Sequence, residues 1–382
     1  RRHVMQLPYS DELNIGYLSK LFENTSNCYK FFWFQAILEK VDSAKCRFTF
    51  DELINEMIAD AWYMVTEYHL RLGPLGVTDN LEEVVKYIHK NYGLISNTKR
   101  ENIIKFLEDS EDKRIAKYKS DLTLNVPYRL QVPFYDEINI KQSMWNGSKK
   151  ILIDEINRQK RLIYYFALIA GLKTEIEIDS LWSDYLVRNK DILKGWAQLK
   201  LIQYLQNKNP SVPGIADKIE APSSRNIERV RKYWNLIIQI DPSLRDIYGD
   251  IDLADENISV DHFVPWQYVA HDELWNLHPT TKSINSSKSN LLPSWELYFN
   301  SLGSLEYRAY ELKNENEAVA HEFQKIAPYH LNNQEIRNQL YADGLDKNTF
   351  IERLEHVIKP VYESAHMSGF KEWSYNGGKN IQ

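Results

Sequence analysis

The stretch that decides the fold opens with Ile258-Ser259-Val260-Asp261-His262-Phe263-Val264-Pro265-Trp266. It continues through a loop holding His271-Asp272-Glu273 to Leu274-Trp275-Asn276-Leu277, and closes with Thr281 to Asn290. Ile258-Ser259-Val260 is short and β-like, and Leu274 to Leu277 has the character of a second strand. Thr281 to Asn290 turns into a helix, so the order is strand, loop, strand, helix. An acidic run containing Asp246, Asp250, Asp252, Asp255 and Glu256 precedes this piece.

Working outward, most of the first 240 residues reads helical. Residues 11–23 put Leu13, Tyr17, Leu18, Leu21 and Phe22 on one face. Residues 27–40 are apolar nearly all round, as a central core helix is. Thr49-Phe50-Asp51-Glu52 has capping-box spacing and opens a long helix to about Leu70. Helices are expected at 81–91 and 98–118. Leu122 to Phe134 carries Pro127 and Pro133 and alternates apolar with polar residues, so it is expected to be extended. Residues 148–172 form the longest helix candidate, and 191–206 another. Asn207 to Ser224, with Pro210, Pro213, Gly214 and Pro222, reads as a linker. A basic amphipathic helix follows at about 225–239, and 306–373 is helical again, interrupted near Pro328 and Gly344. The expected fold is therefore mainly α with a small α+β unit. The expected organisation is a helical domain over 1–206, a linker over 207–224, the strand–helix unit within 225–305, and a helical region over 306–382 packing on it.

The chain has 382 residues, room for two or three domains at roughly 150 residues each. Apolar residues make up 43% and charged residues 26%, which excludes a mainly disordered or collagen-like chain. With 47 basic against 53 acidic residues the net charge is −6, so any polyanion must meet a local basic face. Cys28 and Cys46 are the only cysteines, which excludes a disulfide framework and a four-cysteine zinc site and suits a reducing cytoplasm. The first ten residues lack the apolar core of a signal peptide, and no stretch is long and apolar enough to suggest a membrane span. The longest apolar run, Leu162 to Leu172, reads as a buried helix.

The residues that carry chemistry are Asp261, His262, Asn276 and Asn285. Thirteen residues separate His262 from Asn276, and eight separate Asn276 from Asn285. With Pro265, the Asp272 to Leu277 stretch, and Asn285-Ser286-Ser287-Lys288-Ser289-Asn290, the pattern over about 258–300 resembles the HNH endonucleases, whose ββα-metal fold is shared by homing endonucleases and CRISPR effector nucleases. Many members carry a structural zinc on two CxxC pairs; this chain has none, so its helical flanks are expected to hold the unit together.

Phosphodiester hydrolysis needs an activated water, charge neutralisation on the phosphate, and help for the departing 3′ oxygen. His262, with an imidazole's near-neutral affinity for protons, suits the general base. Asp261 and Asn285 supply the hard oxygens that Mg²⁺ prefers, with Mn²⁺ or another divalent ion as alternatives. Adjacent strand residues point to opposite faces, so Asp261 and His262 can share a site only if the strand bends or ends there. The resemblance implies that Asn276 orients the His262 loop rather than binding metal, and that the products carry 5′-phosphate and 3′-hydroxyl ends. Lys288, one helical turn beyond Asn285, is expected to contact a phosphate, with Asn290 as a further polar contact. His278 is a candidate site residue; His271, Asp252 and Asp255 read better as loop or solvent-facing groups.

Nucleic acid, foremost DNA, is the expected partner. Two windows could track phosphates. One spans 141–173 with Lys141, Lys149, Lys150, Arg158, Lys160, Arg161 and Lys173; the other carries Arg225, Arg229, Arg231 and Lys232 and is favoured because it directly precedes the unit. The sequence thus points to a cytoplasmic, metal-dependent DNA endonuclease, in a restriction or anti-phage setting by resemblance alone. A latent nuclease awaiting a partner or signal, a non-catalytic scaffold with a degenerate HNH fold, and an RNase are the alternatives. A protein partner for the helical region and a homodimer are further expectations.

Overall fold

Thr49 shows how local chemistry fixes the amino-terminal half. Its hydroxyl accepts from the backbone N–H of Glu52 while the Glu52 carboxylate accepts from the N–H of Thr49, and the helix Phe50–Thr66 starts there. The structure is a computed structural model describing residues 6–23, 25–74, 76–145, 147–159, 161–210, 212, 214–220, 227–254 and 257–375. Two compact units divide the chain: residues 1–210 with 215–221, and residues 211–214 with 222–382.

In the first unit the helix Tyr29–Lys40 is buried on nearly every side, as its composition requires. It packs beside Phe50–Thr66, and Asn80–Tyr92 packs on the latter in turn. A three-stranded antiparallel sheet completes the unit: β1 (Arg47–Thr49), β2 (Tyr164–Leu168) and β3 (Glu175–Ile178), in the order β1-β3-β2. Phe48 and Phe166 both lie opposite Ile176 in this sheet.

Four expectations change here. The helix expected over 148–172 ends at Gln159, and the apolar run beyond it forms β2. The segment 122–134 is not extended; Val126–Arg129 and Val132–Tyr135 are short helices. Pro127 and Pro133 sit in their first turns, where a missing N–H removes no helical hydrogen bond. The helix over 98–118 is two, Arg100–Asp109 and Lys113–Leu122, the second capped by Asp112. Likewise only Ile15–Leu18 is helical within 11–23.

In the second unit an antiparallel pair, β4 (Ile258–His262) and β5 (Leu277–Thr281), is followed at once by the helix Lys282–Lys288. The second strand begins three residues later than the sequence suggested, because Leu274–Asn276 forms a 3₁₀ turn. Helices Ile227–Ile240, Trp295–Glu315, Glu317–His330 and Lys347–Met367 surround this ββα piece and share one core with it. Trp234 donates from Nε1 to the Leu277 carbonyl at 3.1 Å and shares one buried core with Ile237, Phe263, Leu277, Ile284 and Leu302. Burying such side chains is worth about 1.5–3 kcal/mol each, so packing holds a unit that has no zinc knuckle. Beyond the helix, β6 (Leu292–Pro293) pairs in parallel with β7 (Glu372–Trp373), and Tyr362 donates to the Pro293 carbonyl at 2.8 Å. Among the described residues no helix is long and apolar enough to cross a membrane.

Glu306, on Trp295–Glu315, is buried in this core near Tyr233 and Tyr341, and burial pushes its carboxyl well above the ordinary carboxylate value of 4.5. The folded chain therefore keeps a proton that the unfolded chain releases, and folding loses stability as pH rises from 4.5 through the folded value. Glu306→Gln keeps the shape and removes the ionisation. Its advantage over the parent should grow between about pH 5 and pH 8, read as the difference in urea midpoint. An equal difference at both pH values would show that Glu306 is not held protonated.

Candidate active site

The pleat of β4 sends Asp261 and His262 in different directions, and each finds its own partners. Asp261 lies opposite His278 on β5, whereas His262 lies opposite Leu277. The Asp261 carboxylate accepts from the Tyr248 hydroxyl at 2.8 Å. It also meets the Lys288 ammonium at 3.1 and 3.2 Å, and His278 Nε2 stands 3.6 Å away. The His262 ring turns to the loop: Nε2 is 2.9 Å from Asp272 Oδ1, and the ring packs at 5.5 Å on Trp266.

Both residues nevertheless line one cavity of about 540 Å³. The helix Ile227–Ile240 contributes Glu228 and Arg231 to its wall, the helix Lys282–Lys288 contributes Asn285 and Lys288, and Asn290 follows just beyond that helix. Asn285 donates from Nδ2 to the Ser259 hydroxyl at 2.7 Å and to the Val260 carbonyl at 3.4 Å. Its amide nitrogen is thus committed to β4, which leaves the amide oxygen as the end suited to a ligand. Asn276 is fully buried and makes a two-way clamp, accepting from the Val264 N–H at 2.7 Å and donating to the Val264 carbonyl at 2.9 Å. That clamp fixes the turn just after His262.

Lys288 requires a correction. Helical spacing placed it toward a phosphate, but its ammonium is fully buried and donates to Asp261 and, at 2.7 Å, to the His262 carbonyl. Its flexible stem lets it reach inward, where Asp261 offsets the burial that pulls its pKa down. Of the basic residues before the unit, Arg231 lines the cavity and pairs with Glu228 at 2.5 Å, and Lys232 is exposed. Arg229 instead lies 4.2 Å over the ring of Tyr329. Arg225, Lys160 and Asp255 lie outside the described residues. In the other basic window Arg158 pairs with Glu155 and Lys149 sits over Tyr128. Asp252 is exposed and pairs with Arg245 at 3.7 Å, across an isolated bridge between the two residues.

Sequence reasoning passed over the residues that support the site. Tyr248 gave no signal, since its partner Asp261 is brought to it by tertiary packing. Asp246 is buried, accepts from the N–H groups of Tyr248 and Gly249, and receives the Thr280 hydroxyl. Gly249 is required where it stands, because a Cβ there would lie 2.9 Å from Tyr375 and 3.1 Å from Ile284. His278 is buried, neither ring nitrogen has a hydrogen bond among the described residues, and burial lowers its pKa to about 4.

The resemblance to HNH nucleases implies a divalent ion. Among the described residues no cluster of three or more His, Cys, Asp or Glu side chains has a metal-binding arrangement. One carboxylate and one amide oxygen do suit a hard cation that keeps most of its waters. Asp261 and Asn285 supply that donor set from two walls of one cavity, and the orphaned ring of His278 stands beside it. The residues fit such an ion, on the condition that it share Asp261 with Lys288 or displace it.

Residues 246–294 match the family model described as HNH endonuclease. The match starts at Asp246, so it takes in the buried Asp246–Tyr248 turn as well as the two strands and the helix. The chain carries an HNH endonuclease domain in its second unit, flanked by helices. No curated protein and no solved structure matches the chain.

Proposed function

We propose that the chain is a divalent-metal-dependent endonuclease that hydrolyses phosphodiester bonds in DNA. The observation that carries this is the single cavity into which β4, the helix Lys282–Lys288 and the helix Ile227–Ile240 bring His262, Asp261, Asn285 and Arg231. His262 takes a proton from water as its oxygen bonds to phosphorus, the bond from phosphorus to the 3′ oxygen breaks, and that oxygen takes a proton from solvent, leaving 5′-phosphate and 3′-hydroxyl ends. Asp261 and Asn285 would hold a divalent ion, Mg²⁺ foremost, whose charge offsets that building on the phosphate and leaving oxygen. Arg231 offers a cation to the backbone on the cavity wall, and Asn276 keeps the His262 turn in place.

Supercoiled plasmid incubated with the protein tests this. Cleavage is expected with Mg²⁺ or Mn²⁺, none with EDTA, and recovery when the metal is restored. Intact plasmid under all conditions, with added partners as well, would support a binding scaffold instead.

The Lys288–Asp261 pair favours a second reading, a latent nuclease. An ammonium already seated on the carboxylate competes with any cation for Asp261. In that case the purified chain is silent with metal alone and cuts once a partner or signal is supplied, a role for which the first unit is available.

A further inference from the structure

The contact between His262 and Asp272 has a support of its own. Asp272 lies in the loop between the two strands, ten positions after His262. Its backbone carbonyl accepts from Nδ1 of His330 at 2.7 Å. The next residue, Glu273, accepts from the N–H of Asn332 at 3.1 Å and from its side-chain amide at 2.7 Å. His330 closes the helix Glu317–His330, and Asn332 lies two residues further on. Both His330 and Glu273 are buried. The carboxylate that meets the imidazole is therefore held from the flanking helical layer, outside the matched residues.

We propose that Asp272 is the positioning residue for His262. A carboxylate only accepts hydrogen bonds, so a neutral imidazole 2.9 Å from it carries its proton on Nε2. The lone pair then resides on Nδ1, and that nitrogen takes the proton from water. Trp266 packs against the ring and restricts its rotation. His330 and Asn332 fix the loop that presents the carboxylate. The inference rests on His262 being the general base, but the ring's tautomer can be read without any cleavage.

The experiment is nitrogen-15 NMR of the full chain labelled at histidine, at a pH high enough that the ring signals no longer move on adding base. The His262 signals are assigned by their loss in His262→Gln. The parent protein is expected to show a protonated Nε2 and an unprotonated Nδ1, and Asp272→Ala should move the ring toward a mixture of tautomers. A ring protonated on Nδ1 in the parent overturns the proposal without any variant. So does an Asp272→Ala spectrum matching the parent's. In plasmid cleavage, Asp272→Ala should lower kcat by about 10-fold or more with little change in KM, a share of the 10²–10⁴-fold that a positioned base contributes. On a His262→Ala background it should cost nothing further. A full additional loss there would mean that Asp272 acts other than through His262, and would overturn the proposal. Normal cleavage by His262→Ala would remove the general-base reading alone, with the tautomer result still deciding what Asp272 does to the ring.

Discussion

His262→Ala is expected to lose plasmid cleavage by about 10²–10⁴-fold, the contribution of a positioned general base. The loss should fall on kcat, because the ring acts on water rather than on the phosphate backbone. Stability should change far less. The variant gives up one hydrogen bond to Asp272 and the packing against Trp266, and the released carboxylate stands at 14% side-chain exposure, within reach of water. Steady-state cleavage beside urea unfolding checks both halves. A variant that cuts within a few-fold of the parent would end the assignment of His262, and one that fails to fold would call for His262→Gln in its place.

Asn276→Ala is expected to show the opposite balance. The Val264 N–H and carbonyl are buried and both bond to this one side chain. Leaving two such groups unpaired costs roughly 1–3 kcal/mol each, so a total of about 2–6 kcal/mol is expected. That is a large share of a typical domain's stability, and the urea midpoint should drop accordingly. Cleavage should fall with it, since the turn that carries His262 loses its clamp. Full stability with lost activity would be the contrary result, and would move Asn276 from the loop to the substrate.

How much of this could be read from the sequence depends on how local the cause is. The ββα piece was legible because its strands, caps and helix follow in order within a few dozen residues and its polar side chains recur at fixed spacings. The capping box at Thr49 was legible for the same reason. The run Tyr164 to Leu168 was not: a continuous apolar stretch has no period to separate helix from strand, and only pairing with Glu175–Ile178 decides it. The site divides in the same way. Spacing brought Asp261, His262, Asn276 and Asn285 forward, whereas Tyr248 and His330 have meaning only once separate segments meet. Lys288 misled because helical spacing predicts the face of a Cα, while a four-carbon stem can carry its charge elsewhere.

The short pairing of Leu292–Pro293 with Glu372–Trp373 bears on anyone who would excise the motif as a portable module. A fragment trimmed to the matched residues would end at Ser294, stripped of the strand that flanks its final turn and of Tyr362 beneath it. It would also lack His330 and Asn332, which brace the interstrand loop from outside. The smallest transplantable piece is thus far larger than the signature by which such domains are recognised, and grafting must carry the whole helical cradle along.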